Sequence, residues 1–99
     1  MIIESASIVI KPGMEQQFEA GFRQAVPIFQ RARGCVSLQL QREVGQALAY
    51  RLQVHWRTLE DHTIHFRGSD DFQEWRRLVG PCFDSPPVVT HLELRIAAF

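Results

Sequence analysis

The apolar residues of this chain switch between a two-residue and a helical rhythm, and the order of those switches restricts the fold more than any other feature. From Ile2 to Ile10 the pattern alternates, with Ala6, Ile8 and Ile10 pointing one way and Ser5, Ser7 and Val9 the other. Period two is the mark of a half-buried strand. Lys11-Pro12-Gly13 stops it, because proline cannot donate to a ladder and glycine frees the backbone to turn. Met14, Phe18, Phe22, Ala25 and Phe29 then recur at helical spacing, while Glu15, Gln16, Glu19, Arg23 and Gln24 fill the opposite face. This predicts an amphipathic helix that Pro27 bends or splits and Gly34 ends, with Arg31 and Arg33 complementing its dipole.

Two strands follow in the same reading. Cys35–Arg42 sets Val36, Leu38 and Leu40 against Ser37, Gln39 and Gln41, and Leu48–Arg57 sets Leu48, Tyr50, Leu52, Val54 and Trp56 against Arg51, Gln53, His55 and Arg57. The residues 43–47 between them suit a hairpin connection. Thr58–Phe66 reads as a short helix capped by Thr58. Gly68 interrupts it, and Ser69-Asp70-Asp71 opens a second helix to about Val79, ended by Gly80-Pro81. A stiff Asp84-Ser85-Pro86-Pro87 run leads into a last strand, Val88–Ile96, with Leu92, Leu94 and Ile96 on the face opposite His91, Glu93 and Arg95. The order β-α-β-β-α-β predicts an α+β, ferredoxin-like domain spanning residues 1–99 on a four-stranded antiparallel sheet. Helices cover the apolar face. The mixed face (Ser5, Ser7, Ser37, Gln39, Gln41, Arg51, Gln53, His55, Glu93, Arg95) either stays wet or meets a second copy across a twofold axis, with Arg51, Arg95 and Glu93 offering cross-pairing.

Composition narrows the partners. A chain of 99 residues buries roughly two-thirds of its unfolded surface, a feasible but thin core that pairing would extend. Eleven basic side chains balance eleven acidic ones, and Arg76-Arg77 is the only adjacent basic pair, so no footprint for nucleic acid or an anionic membrane emerges. No stretch has the length of a membrane span. Two distant cysteines, Cys35 and Cys82, and a start without a basic leader predict a reduced, cytoplasmic protein.

From Trp56 onward the chain carries a more specific pattern. Trp56-Arg57-Thr58-Leu59-Glu60-Asp61-His62, then His65-Phe66-Arg67-Gly68-Ser69, Phe72 and Trp75, then Pro81 to His91, resemble the antibiotic biosynthesis monooxygenase family. Lys11-Pro12-Gly13, Phe18, Pro27 and Gly34-Cys35 match the same pattern, so the resemblance runs over essentially the whole chain. It implies a homodimer whose two sheets face each other as a dimeric α/β barrel, with a ligand cavity in each subunit. It also implies monooxygenation of small aromatic, quinol or polyketide-like substrates without metal, flavin or haem, the substrate itself supplying electrons. Trp56 corresponds to the family's tryptophan at the end of the third strand. His62 stands where polycycle-oxidising members have an aromatic hydroxyl, Arg76 near where they place an arginine, and Leu52 where they have a polar amide. A haem-degrading branch is disfavoured, because Trp75 occupies the position of its iron-binding histidine.

The candidate residues follow from both readings. His62 and His65, at i, i+3, are expected on one helix face, and His65 as a general base or orienting group is a better reading than a metal site, since imidazole titrates near neutrality. His62 and Trp56 complete the candidate catalytic set, and Phe22, Phe66, Trp75, Arg76, Phe83 and His91 are expected around the substrate. Each has a plainer reading: core packing for the aromatics, helix surface for the histidines and Arg76-Arg77. No carboxylate completes a metal-ligand spacing around His55, His62 and His65, so no metal is expected, and the resemblance implies no cofactor. A non-catalytic, ligand-binding or stress-related protein on the same dimer scaffold is the competing reading.

Overall fold

A computed structural model describes all 99 residues. Four strands, β1 (Ile2–Val9), β2 (Cys35–Arg42), β3 (Ala49–Trp56) and β4 (Val88–Glu93), form one antiparallel sheet in the order β2-β3-β1-β4. Two helices, α1 (Glu15–Gln30) and α2 (Asp70–Val79), lie on one face, and a π-helical turn (Asp61–Phe66) links β3 to α2. The β-α-β-β-α-β order is the one the periodicity predicts.

Alternation fixes which face is covered. The even residues of β1 and β3 point under the helices: Ala6, Ile8, Tyr50, Leu52, Val54 and Trp56 are all buried, as is Ile10 just past β1. Phe18, Ala25, Ile28 and Phe29 of α1 and Trp75 and Val79 of α2 close over them. The two helices touch at Gly21, where a Cβ would stand 2.7 Å from the Leu78 carbonyl oxygen, so only a bare Cα allows that approach. Ser69 caps α2 by accepting the Phe72 amide at 3.2 Å, and Asp70 and Asp71 in the first turn suit its dipole.

Several details depart from the sequence reading. Pro27 does not split α1, which runs on to Gln30 with Pro27 on its exposed side. The helix ends at Gln30 rather than Gly34, which places Arg31 and Arg33 beyond its last turn. Gly34 instead turns the chain into β2 at φ +74°, so close to Asp61 that a Cβ could not be accommodated. Val36 does not join Leu38 and Leu40, since the register shifts between Cys35 and Ser37 and leaves Val36 half exposed. The last strand stops at Glu93, and its faces are the reverse of those expected. Pairing of Ala6 with Val89 and of Glu4 with His91 turns the odd residues of β4 toward the helices. His91 and Glu93 thus lie on the covered side, while Leu92 shares the open face with Ile3, and Leu94 and Ile96 are exposed beyond the strand. Glu93 therefore cannot cross-pair on the open face.

That open face is otherwise the mixed one predicted. Arg51 donates to Ser5 at 3.2 Å and Gln41 to Gln53 at 3.0 Å, while Ile3, Val9, Val88 and Leu92 interrupt the polar rows.

Candidate functional site

Glu4 is a charged residue in the inward-pointing set of β1, and it is 6% exposed. The next apolar side chains of that set, Ala6 and Ile8, lead from it along the floor of a cavity of about 230 Å³ between the sheet and α2. Leu52 and Val89 complete the floor from the neighbouring strands. His62 and Arg67 enter from the π-helical turn, Phe72, Trp75 and Arg76 from α2, and Phe83 and Pro87 from the segment before β4. The lining is mostly apolar with a few convergent polar groups, the usual make-up of a small-molecule site.

The polar groups are connected. Trp56, at the end of β3 and fully buried, donates its indole Nε1–H to Glu4 Oε1 at 2.9 Å. His62 Nε2 lies 3.3 Å from the same oxygen, and its other ring nitrogen, Nδ1, is 2.8 Å from Nε2 of His91. Trp56 and His62 stack almost parallel, ring centroids 5.3 Å apart, which fixes the imidazole plane against the sheet. The result is one file from buried indole to half-buried surface: Trp56, Glu4, His62, His91.

Burial sets the protonation states along this file. Desolvation raises the Glu4 carboxyl above its ordinary value, against the lowering effects of the Trp56 hydrogen bond and the Arg67 charge. Desolvation first, then the charges of Arg67 and His91, pushes His62 down to about 4. His91 is lowered as well, by burial and by Arg67. His62 is therefore a neutral imidazole at neutral pH, one nitrogen donating and the other accepting.

The π-helical turn delivers His62. Thr58 Oγ1 accepts the Asp61 amide at 3.1 Å, as its capping role predicts, and the Arg67 amide donates to the His62 carbonyl five residues back. This wider turn is why His62 and His65 do not share a face: residues three apart are neighbours on an α-helix but diverge here. His62 is buried and His65 is exposed and lines no part of the cavity.

The other candidates sort as follows. Trp75, Arg76 and Phe83 line the cavity. Trp56 and His91 lie behind it, holding Glu4 and His62. Phe66 is core, packed between Phe29, Trp56 and Phe72. Phe22 meets Trp75 edge-on but opens on a different groove, beside Cys35 and Val36. Glu4 and Arg67 are the residues sequence reasoning missed. The signal for Glu4 was its even number in β1, a carboxylate in register with Ala6, Ile8 and Ile10. Both ring nitrogens of His62 are engaged within the file, and nowhere do three His, Cys, Asp or Glu side chains gather as a metal-binding group.

Comparisons with known proteins place this geometry. A family model described as antibiotic biosynthesis monooxygenase matches residues 1–78. The Bacillus subtilis (strain 168) protein YczJ, uncharacterized itself, is 42% identical over 93 residues, covering 94% of this chain and 98% of that one. The crystal structure of a Bordetella bronchiseptica protein, provisionally titled an antibiotic biosynthesis monooxygenase, matches with a TM-score of 0.93 at 49% identity, covering 96% of this chain and 97% of that one. SnoaB of Streptomyces nogalater, described as a cofactor-independent oxygenase, superposes with a TM-score of 0.84 over 98% of this chain and 95% of its own, at 15% identity, a likeness of fold.

Proposed function

This chain belongs to the antibiotic biosynthesis monooxygenase family, and we propose that it is a cofactor-independent monooxygenase of small aromatic or quinol-like substrates. The observation that carries the reading is the buried Glu4–His62–His91 file opening on an apolar cavity. An engineered apolar cavity of about 150 Å³ takes one benzene ring. The 230 Å³ here suits a substituted ring or two fused rings rather than an extended polycycle.

The chemistry asks the protein for little beyond proton handling and dryness. A phenol or activated methylene bound over Glu4 gives up a proton, and the resulting anion reduces O₂. One oxygen atom stays on carbon as a new carbonyl and the other leaves as water, so two hydrogens and one O₂ are consumed per turnover. Burial raises the basicity of Glu4 and so narrows its gap to a phenol. His62 can take that proton at Nε2 while releasing another from Nδ1 to His91, because a neutral imidazole exchanges donor and acceptor ends. The apolar walls limit loss of the reactive anion to water.

Proteins of this family are generally dimeric, and the same reading extends to this chain as a homodimer. Its support is the uncovered sheet face, where Val88 and Leu92 are 65% and 53% exposed.

Oxygen uptake with a panel of naphthohydroquinones, benzoquinols and anthrone tests the function. The expected result is uptake above the spontaneous rate for at least one mono- or bicyclic member, falling about 100-fold or more in Glu4→Gln. A flat trace across the panel would instead assign the cavity to ligand binding without turnover.

A further inference from the structure

Two guanidinium groups, Arg67 and Arg76, stand on the wall of the same small apolar cavity. Five other arginines hold carboxylates, Arg23 with Glu19, Arg31 with Asp71, Arg33 with Asp61, Arg77 with Glu74 and Arg95 with Glu93, and the remaining three, Arg42, Arg51 and Arg57, lie outside this cavity. Arg67 and Arg76 hold no ion pair. Arg76 instead lies over the Phe72 ring, its guanidinium carbon 5.9 Å from the centroid, and so faces the cavity's aromatic wall. Arg67 is near enough for its charge to act on Glu4, His62 and His91. The one carboxyl group on the wall, Glu4, is already committed to Trp56 and His62 at the floor.

Two like charges at the edge of one cavity repel each other and lack a counter-charge. An anion on the ligand would supply it, and a planar carboxylate suits the guanidinium fork. We propose that the cavity selects aromatic ligands bearing a carboxylate, with the ring between Leu52, Phe72, Trp75 and Phe83, the carboxylate on Arg67 and Arg76, and a ring hydroxyl at the Glu4 end. This rests on the cavity being the substrate site and narrows the substrate class to hydroxyaryl carboxylates of one or two rings.

Anaerobic calorimetric titration of 6-hydroxy-2-naphthoate, with 2-naphthol as its uncharged counterpart, tests the proposal without requiring turnover. Charge-assisted pairing of the carboxylate predicts tighter binding of the naphthoate by about tenfold or more at low salt. Arg67→Gln and Arg76→Gln each reduce that preference, and the double variant removes it. Both arginines are exposed, so circular dichroism should report an unchanged fold. Equal affinity of the two ligands for the wild type, or a preference that survives in the double variant, overturns the anion site and leaves the oxygenase reading standing. Binding of neither ligand overturns the cavity as a ligand site, and both readings with it.

Discussion

The neutral state of His62 has a thermodynamic signature that stability measurements can read. In the unfolded chain this imidazole takes up a proton near pH 6.5, whereas in the folded chain it does so only at about 4. Between those values the unfolded state binds more protons, so lowering the pH favours unfolding. The stabilisation is complete above pH 6.5 and lost as pH falls toward 4. At 1.36 kcal/mol per pH unit the full interval corresponds to about 3 kcal/mol. Glu4 works in the opposite sense: its raised folded value means that acidification relieves a buried carboxylate. The experiment is therefore best done in a Glu4→Gln background, comparing that variant with Glu4→Gln/His62→Gln. Burial, Arg67 and His91, which hold His62 down, all survive the first substitution. Urea unfolding followed by circular dichroism, at fixed protein concentration so that self-association does not intrude, gives both pH profiles. The single variant should lose about 3 kcal/mol more than the double variant between pH 7 and pH 4. Parallel profiles would mean that His62 titrates normally, and the buried-imidazole account would be wrong.

Other substitutions probe the supports of the site. Trp56→Phe removes the donor to buried Glu4 and should cost about 1–3 kcal/mol in urea titrations, together with most of the oxygen uptake. Gly34→Ala forces a side chain into a left-handed backbone and against Asp61; a loss of about 2 kcal/mol or more is expected, read as a lower melting temperature. His65→Ala, on the exposed side of the π-helical turn, should leave oxygen uptake within about twofold of wild type, since nothing of the cavity depends on it. Leu92→Asp places a charge on the uncovered sheet face and should shift sedimentation velocity profiles toward a single subunit.

The fold was legible because alternation and helical spacing are consequences of burial on one face, and the inward sets of β1 and β3 carry that signal with Glu4 as the one exception. It failed at β4, where the larger apolar residues Leu92, Leu94 and Ile96 look inward by hydropathy. Pairing with β1, which aligns His91 with Glu4 and Val89 with Ala6, turns Leu92 outward, and Leu94 and Ile96 lie beyond the strand's end. The same bias hid the site. Glu4 breaks an otherwise apolar register, and a charge there reads as a strand-end residue until Trp56 and His62 are seen to satisfy it. His62 and His65 share one face only if the turn is α-helical; local sequence gives no hint that it widens to five-residue bonding. Trp75 and Phe83 are legible as members of the inward aromatic set, and Arg76 through the resemblance, which puts an arginine near its position.

Everything proposed for the reaction depends on Glu4, backed by His62 and His91, taking a proton from a ring hydroxyl. Spectrophotometric pH titration of 1-naphthol bound under argon measures this directly, because the phenol and its anion absorb differently. In the wild type the bound hydroxyl should ionise about one pH unit or more above the free compound, because the Glu4 carboxylate holds its proton and repels the anion, and in Glu4→Gln that displacement should shrink. Ionisation of the bound ligand at its free value in the wild type, or an unchanged displacement in Glu4→Gln, would contradict the account.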